Sequence, residues 1–257
     1  MSAVTTTERI SRIAAPVATG ILLLLAWQVL SGVKIGRLSL IPAPLDVAET
    51  ATGIAGVVGE DILVTGGNTL VGLVLGTVFG VLLAALAAWL RPVDGMLTPL
   101  VAAIAVVPIV ALTPLLNTML GASAQTGRQV VAAIAAFVPV FVNVLRGLRQ
   151  SRPVQRDLFL AYAATGGQQF RKLTLPVAVP YLVTGVRIAS SIAVISALVA
   201  EYFGGPTDGL GTAISSYAKT GNAAVAWTYV AAAIAVGLVF FLVTVLLERA
   251  VTRRRPI

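Results

Sequence analysis

Between Asp61 and Arg91 the chain runs through 29 residues, Ile62 to Leu90, without one charged side chain. A helix needs about 20 apolar residues to cross a hydrocarbon layer of about 30 Å. This run is longer, and five more follow the same rule. They are Ile13 to Ser31, Met96 to Gly127, Gln129 to Leu145, Val177 to Ala200 and Asn222 to Leu247. The Met96 run is interrupted by Pro99, Pro108 and Pro114, and the Val177 run holds a single charge, Arg187. Backbone groups in lipid must be bonded within the segment, so continuous runs of this kind are helices. A barrel would instead alternate polar and apolar residues in ten-residue strands. The expected fold is an all-α integral membrane protein with about six transmembrane helices. The spans occupy residues 13–248, between a tail at 1–12 and a basic tail at 249–257. Arg9 and Arg12 before the first run resemble a secretory signal, but no small-residue cleavage site follows, so an uncleaved span is expected.

Composition agrees. Charged residues make up 11% of the chain, against about 25% in soluble domains. That is too few to cover a soluble globule without large apolar patches. There is no Cys and no His, which excludes disulfides, Cys/His zinc sites and every nucleophile–His pair. Lys219-Thr220 lacks the glycine-rich loop that cradles phosphate, so the chain carries no nucleotide-hydrolysing motif. No metal site, cofactor or catalytic residue is expected in it. The formal charge is +8, but the cations lack interleaved aromatics and alternate with apolar runs, which argues against nucleic acid.

The distribution of those cations orients the chain. With the N-terminus inside, inner segments hold thirteen Lys/Arg. These are Arg9, Arg12, Arg91, the six from Arg146 to Lys172, and Arg249, Arg253, Arg254 and Arg255. Outer segments hold four: Lys34, Arg37, Arg128 and Lys219. The positive-inside rule therefore places both termini in the cytoplasm. Trp27, Trp89 and Trp227 lie toward span ends, as interfacial aromatics do. Gly72, Gly76, Gly80, Ala84 and Ala88 share one helix face, which lets another helix approach closely, within the subunit or between subunits.

Residues 147–176 form the longest inner loop. Pro153 suits a helix first turn; Gly166-Gly167 should break that helix, and a second short helix should end near Pro176. This helix–turn–helix suits docking into another protein's cleft, and also a solvated connector. Polar groups inside spans are functional candidates by default. Asn68, Asn117 and Asn143 could bond between helices or line a path. Arg187 could meet an anionic substrate, or be a paired arginine near the inner end. Glu201 could anchor a helix end, bond a second subunit or touch a partner outside.

The loop residues Ala161-x-Ala163-x-Thr165-x-Gly167, then Leu173-x-Leu175-Pro176, resemble the cytoplasmic loop of ABC importer permeases. Leu40-Ile-Pro-Ala-Pro44, Ala135-Ala-Phe-Val-Pro139 with Asn143, Gly147-Leu-Arg149, Pro180-Tyr-Leu-Val-Thr-Gly-Val-Arg187, Ala200-Glu201 and Gly209-Leu-Gly211 are similar, in order, to the nitrate/sulfonate/taurine subgroup. Where the family motif opens with glutamate, this chain has Ala161. The resemblance implies a type I importer permease fold and a path for a small solute of the sulfonate, nitrate, taurine or heterocyclic vitamin-precursor class. It implies a coupling loop carried by Asp157, Ala161, Ala163, Thr165, Gly167, Arg171, Leu175 and Pro176. It also implies separate ATPase subunits holding ATP and Mg, a second permease subunit (identical or paralogous) and a binding protein outside, near Glu201. An ion-gradient-driven transporter is the competing expectation; such proteins show inverted repeats and several ionisable groups at mid-membrane. A proline at Gly167 or a reversed charge at Arg171 should impair coupling.

Overall fold

A computed structural model describes residues 6–31, 41–121 and 123–253. Lys34, Arg37, Leu40, Arg254 and Arg255 lie outside the described residues. The regular elements described are all helical. In chain order they are α1 Thr6–Ser31, α2 Pro44–Gly53, α3 Ala55–Trp89, α4 Arg91–Val106, α5 Ile109–Leu120, α6 Thr126–Arg149, α7 Pro153–Ala161, α8 Gly166–Gln169, α9 Leu175–Tyr202, α10 Leu210–Lys219 and α11 Ala223–Arg253. A π-helical turn, Phe170–Thr174, joins α8 to α9, so Gly166–Tyr202 is one continuous helix of 37 residues.

Among the described residues, four helices are long and apolar enough to cross a membrane: α3, α6, the Gly166–Tyr202 helix and α11. The axes of Arg91–Val106 and Ala111–Leu120 diverge by 106°, and taken together they would make a fifth span. The apolar part of α1, Val17–Ser31, is shorter. The count of six is therefore approximate. Of the three prolines expected to interrupt the third run, Pro108 marks the break, while Pro99 and Pro114 sit inside helices. Residues 6–12 and 249–253, read from sequence as tails, continue α1 and α11 as helix.

α6 is the centre. It packs along α3 on one side and α9 on the other. The α3 contact is the small-residue stripe, and it lies within the subunit. A Cβ added to Gly76 would sit 2.5 Å from the Ala133 carbonyl oxygen and 2.7 Å from the Ala136 Cβ. One added to Gly80 would lie 2.9 Å from the Val140 Cγ1, and one on Gly72 would collide with Ala132. The stripe continues through Ala84 and Ala87, both fully buried, while Ala88 is half-buried beside it. The α9 contact uses the same device. Gly185 faces Pro139 and Asn143, and Gly147 faces Ala178 and Tyr181, with an added Cβ at 3.0 Å from Asn143 and 2.7 Å from Tyr181. Lipid gives helices no hydrophobic drive to associate, so close van der Waals contact between backbones carries the packing.

The termini of the long helices sort into two ends. Arg91, Arg146, Arg149, α7, α8 and the end of α11 share one, hereafter the basic end. α2, α10 and residues 203–209 share the other. There Trp27 stacks on Trp227 with centroids 5.1 Å apart, and its Nε1 donates to the Pro42 carbonyl. At the basic end Trp89 meets Phe170 edge-on at 5.9 Å.

A Gly76→Leu change must force α3 off α6 and is expected to cost about 3 kcal/mol or more. Gly66 and Gly67 face open space, so Gly67→Ala should leave the thermal midpoint in detergent unchanged or raised. Equal midpoints for Gly76→Leu and the parent would refute the packing.

Candidate docking surface and buried polar sites

At the basic end the chain leaves α6 at Gln150 and turns into α7. Arg152 is the N-cap, its backbone N–H bonded to the Gln155 Oε1, and Pro153 fills the first turn. α7 buries none of its residues. Val154, Leu158 and Tyr162 are 77%, 54% and 79% exposed, and their spacing of four puts them on one exposed apolar face, with Leu160 exposed on the other side. Asp157, expected to act in docking, lies on this exposed helix.

The turn after α7 corrects the sequence expectation. The helix ends at Ala163, whose φ of 50° is left-handed. The Ala164 N–H bonds the Phe159 carbonyl and the Ala163 N–H bonds the Leu160 carbonyl. That pair of bonds is a Schellman closure with alanine where glycine is usual. Gly166 and Gly167 are not the break. They open α8, capped by Thr165: its Oγ1 accepts from the Gln168 N–H, and the Gln168 Oε1 accepts from the Thr165 N–H. Thr165-x-x-Gln168 is a capping box visible in the sequence, and it was the overlooked signal. A proline at Gly167 would sit in a first turn, where it is tolerated, so that substitution no longer tests coupling. Pro176 does not end a helix either. A proline inside a helix removes one N–H bond and crowds the carbonyl four residues back. Here the wider π turn immediately precedes Leu175-Pro176 and lets the helix continue. Arg171 lies within that turn. Leu158, Tyr162, Gln168 and Lys172 border a cleft of about 340 Å³ between α7 and α8.

The four residues considered for a solute path do not converge. Asn143 is half-buried against Gly185 and donates to the Pro139 carbonyl of its own helix. Arg187 is paired: its Nε lies 3.2 Å from the Glu248 Oε2 of α11, and Thr184 donates to the other carboxylate oxygen at 2.6 Å. One turn on, the Ser190 and Thr244 hydroxyls meet at 3.1 Å. Arg187 is thus an interhelical tie rather than a free cavity cation. Asn117 is buried on α5 beside Gly127 and Gly205, its Oδ1 without a hydrogen-bond partner among the described residues.

Asn68 belongs to a buried network at the end opposite the basic end. Its Nδ2 donates to the Gln125 Oε1 at 2.8 Å and to the Glu201 Oε1 at 3.4 Å, and its Oδ1 accepts from the Gln129 Nε2. Glu201 is 1% exposed. Its Oε2 accepts from the Thr65 hydroxyl at 2.8 Å and from the Gly211 N–H at 3.0 Å. Glu201 therefore presents no carboxylate to a partner outside. It anchors a helix end, namely the start of α10. The Gly209 N–H goes to Asp61 and the Leu210 N–H to Thr65. So three successive amides at the head of α10 are held by oxygens from α3 and α9, satisfying donors the helix itself cannot. Gly209 has φ 89°, and a Cβ there would meet the Glu201 carboxylate at 2.8 Å. These contacts give Gly209-Leu-Gly211 its physical meaning.

Sequence reasoning placed Arg128 on an outer segment. The structure buries it fully, in the first turns of α6. Its Nη1 lies 3.0 Å from the Asp208 Oδ1, and its Nη2 donates to the Pro206 carbonyl at 2.5 Å and the Thr212 hydroxyl at 2.9 Å. Through the Gln125 Oε1 it joins the Asn68–Glu201 chain. Nothing in spacing distinguishes such an arginine from an interfacial one, because its partners lie some 80 residues away in sequence. Among the described residues, no group of three His, Cys, Asp or Glu could hold a metal ion.

Removing one member of such a network strands the rest. Glu201→Ala should cost about 3 kcal/mol, lower the thermal midpoint and open residues 203–209 to protease. Glu201→Gln, which keeps an acceptor, should lose less. Identical behaviour of the two variants would refute the capping role.

Residues 76–255 match the family model described as the binding-protein-dependent transport system inner membrane component. The chain is 31% identical over 192 residues to the formylaminopyrimidine transport permease protein ThiX of Halalkalibacterium halodurans, covering 74% of this chain and 76% of that one. It is 26% identical to the taurine transport system permease protein TauC of Escherichia coli, covering 78% and 74%. To the putative aliphatic sulfonates transport permease protein SsuC of Bacillus subtilis it is also 26% identical, covering 69% and 65%. In fold it is similar to an inward-facing structure of the MetNI methionine ABC transporter, with a TM-score of 0.66 and 21% identity over 77% of this chain and 98% of that one. A match over more than two thirds of the chain, a relative of this similarity and several long apolar helices agree: the chain belongs to the inner-membrane permeases of binding-protein-dependent ABC importers and is a multi-pass protein of that membrane.

Proposed function

We propose that this chain is the path-forming subunit of an ATP-driven importer, paired with a second permease subunit, and that α7 and α8 dock into an ATPase subunit. The observation that carries the docking is α7 itself: a nine-residue helix at the basic end, with no buried residue and a row of exposed apolar side chains. A solvated connector would not keep Val154, Leu158, Leu160 and Tyr162 bare. The docking residues are Asp157, Ala161, Ala163, Thr165, Gly167, Arg171, Leu175 and Pro176, as the motif implies. Leu158 and Tyr162 join them, since they border the α7–α8 cleft. The solute is a small sulfonate, nitrate, taurine or heterocyclic vitamin precursor, delivered from outside by a binding protein. The names of the relatives, which refer to formylaminopyrimidine, aliphatic sulfonates and taurine, support the heterocyclic, sulfonate and taurine members of this range. ATP and Mg sit on the ATPase; this chain contributes no covalent chemistry.

The mechanism follows from rigidity. ATP-driven closure of the ATPase pair would bias a two-state helical bundle. The shift would enter at α7 and cross the turn at Ala163; α8 continues without a gap into α9, so from α8 onward the docking segment and a membrane span form one helix, with the π turn inside it.

Leu158→Glu should abolish co-purification with the cognate ATPase, a loss of about tenfold or more in affinity, while the thermal midpoint stays put because the side chain packs on nothing buried. Arg171→Glu should weaken solute-stimulated ATP hydrolysis in the assembled complex. Normal association and stimulation in both variants would sink the docking assignment. A thermal-shift screen of the binding protein against the solute classes named would settle the cargo separately.

A further inference from the structure

Beside the docking hairpin, on its membrane side, lies a cavity of about 450 Å³ that the transport reading does not use. Arg152 and Gln155 form its outer rim, Val177, Pro180 and Tyr181 of α9 its inner wall, and Thr252 of α11 its third side. The chemistry is graded. The wall is where the apolar run of α9 begins; the rim is where α7 has already left the membrane.

None of the lining residues is acidic. The Arg152 guanidinium has no hydrogen bond or ion pair among the described residues, and the same holds for Arg249 and Arg253, which flank Thr252 on α11. All three are exposed. Two further cations of the basic end are already engaged, Arg149 with Asp94 at 2.8 Å and Arg187 with Glu248, and neither lines the cavity. The acids nearest in sequence do not compete. Glu248 is held by Arg187 and Thr184, and Asp157 lies two residues past Gln155, toward the opposite face of α7. A slot with an apolar wall and the unpaired Arg152 at its rim, with Arg249 and Arg253 beside its Thr252 on α11, matches a ligand with a phosphate at one end and methylenes at the other.

We infer that the cavity between α7, α9 and α11 is a binding site for an anionic phospholipid of the inner leaflet. The phosphate sits among Arg152, Arg249 and Arg253, and an acyl chain runs along Val177, Pro180 and Tyr181. Anionic lipid is attracted to juxtamembrane arginines of this kind. A free phosphate would meet the same cations but leave the apolar wall bare. The bound lipid would tie the first residues of the docking hairpin to the ends of two spans.

The test is native mass spectrometry of the purified full-length chain, titrated with phosphatidylglycerol or phosphatidylcholine. The parent should retain phosphatidylglycerol selectively. The triple variant Arg152→Ala, Arg249→Ala, Arg253→Ala should retain about tenfold less. Thr252→Trp, which fills the slot and alters no charge, should also lose it; this variant decides the matter if the triple variant fails to insert. Equal retention of the two lipids, unchanged retention in Thr252→Trp, or displacement of the lipid by equimolar inorganic phosphate would each overturn the assignment.

Discussion

Everything else in the molecule depends on how closely α6 can approach α3 and α9. Its neighbours meet it through Gly72, Gly76 and Gly80 on one side and Gly185 on the other, and α6 brings its own Gly147 against Tyr181. At each contact backbone or Cβ atoms fill the place where a larger side chain would stand. Lipid tails are as apolar as leucine, so a leucine-to-leucine contact gains little over lipid. Close backbone approach gains dispersion that lipid cannot match. This is why the largest apolar side chains of α1, α3 and α11 point outward and remain exposed, while the buried positions of α6 are dominated by alanine, valine and glycine.

A tightly packed central helix also fixes what lies at its two ends. At one end it carries Arg128 into the protein interior; at the other it carries Arg149, which reaches Asp94. The buried end is costly in isolation, since an unpaired charge there would lose several kcal/mol of hydration. It is tolerated because opposite charges and dipoles converge from three directions: Asp208 and the Pro206 carbonyl from the loop, Gln125 from the turn before α6, and Glu201 through Asn68 and Gln125. Glu201 in turn faces the amide end of α10, where a helix carries partial positive charge. The network links α3, α6, α9 and α10 by bonds whose partners are far apart in sequence.

The spans were legible because absence of charge is a local property: Ile62 to Leu90 and Asn222 to Leu247 announce themselves residue by residue. So was the small-residue stripe, since a spacing of four fixes a helix face wherever the partner is. What could not be read was anything set by a partner distant in sequence. Arg128 has the same local context as an interfacial arginine, and only Pro206, Asp208 and Thr212 make it a buried one. Among prolines, composition does not say which one bends. The helix axis bends by 106° across Pro108, whereas the helix continues through Pro176 after the π turn. The turn at Ala163 shows a different failure. Alanine in a left-handed conformation carries no signal, and the neighbouring Gly166-Gly167 carries a misleading one. The Thr165-x-x-Gln168 box was the counter-signal, and it outweighs the glycines because a cap satisfies donors that a break would strand.

The corrected turn alters how motion can travel. Had the helix ended near Pro176, the docking segment would hang from the membrane part by a loop, and a push on it would dissipate there. Instead a helix of 37 residues, about 55 Å long, runs from the cap at Thr165 to Tyr202, one residue past Glu201. Its soft point is the π turn at Phe170–Thr174, where Trp89 of α3 leans on Phe170. Beyond that turn the helix is clamped by Gly185 against α6, by Arg187 and Ser190 against α11, and by Glu201 against α3 and α10. A displacement passing the π turn must therefore shift those contacts together or be absorbed within those five residues. The polar ties along α9 bind different partners at different heights, α11 through Arg187 and Ser190 toward the basic end and α3 and α10 through Glu201 at the other. On the proposed coupling, a push on α7 would reach this helix across the turn at Ala163 and would then act on contacts held at several heights.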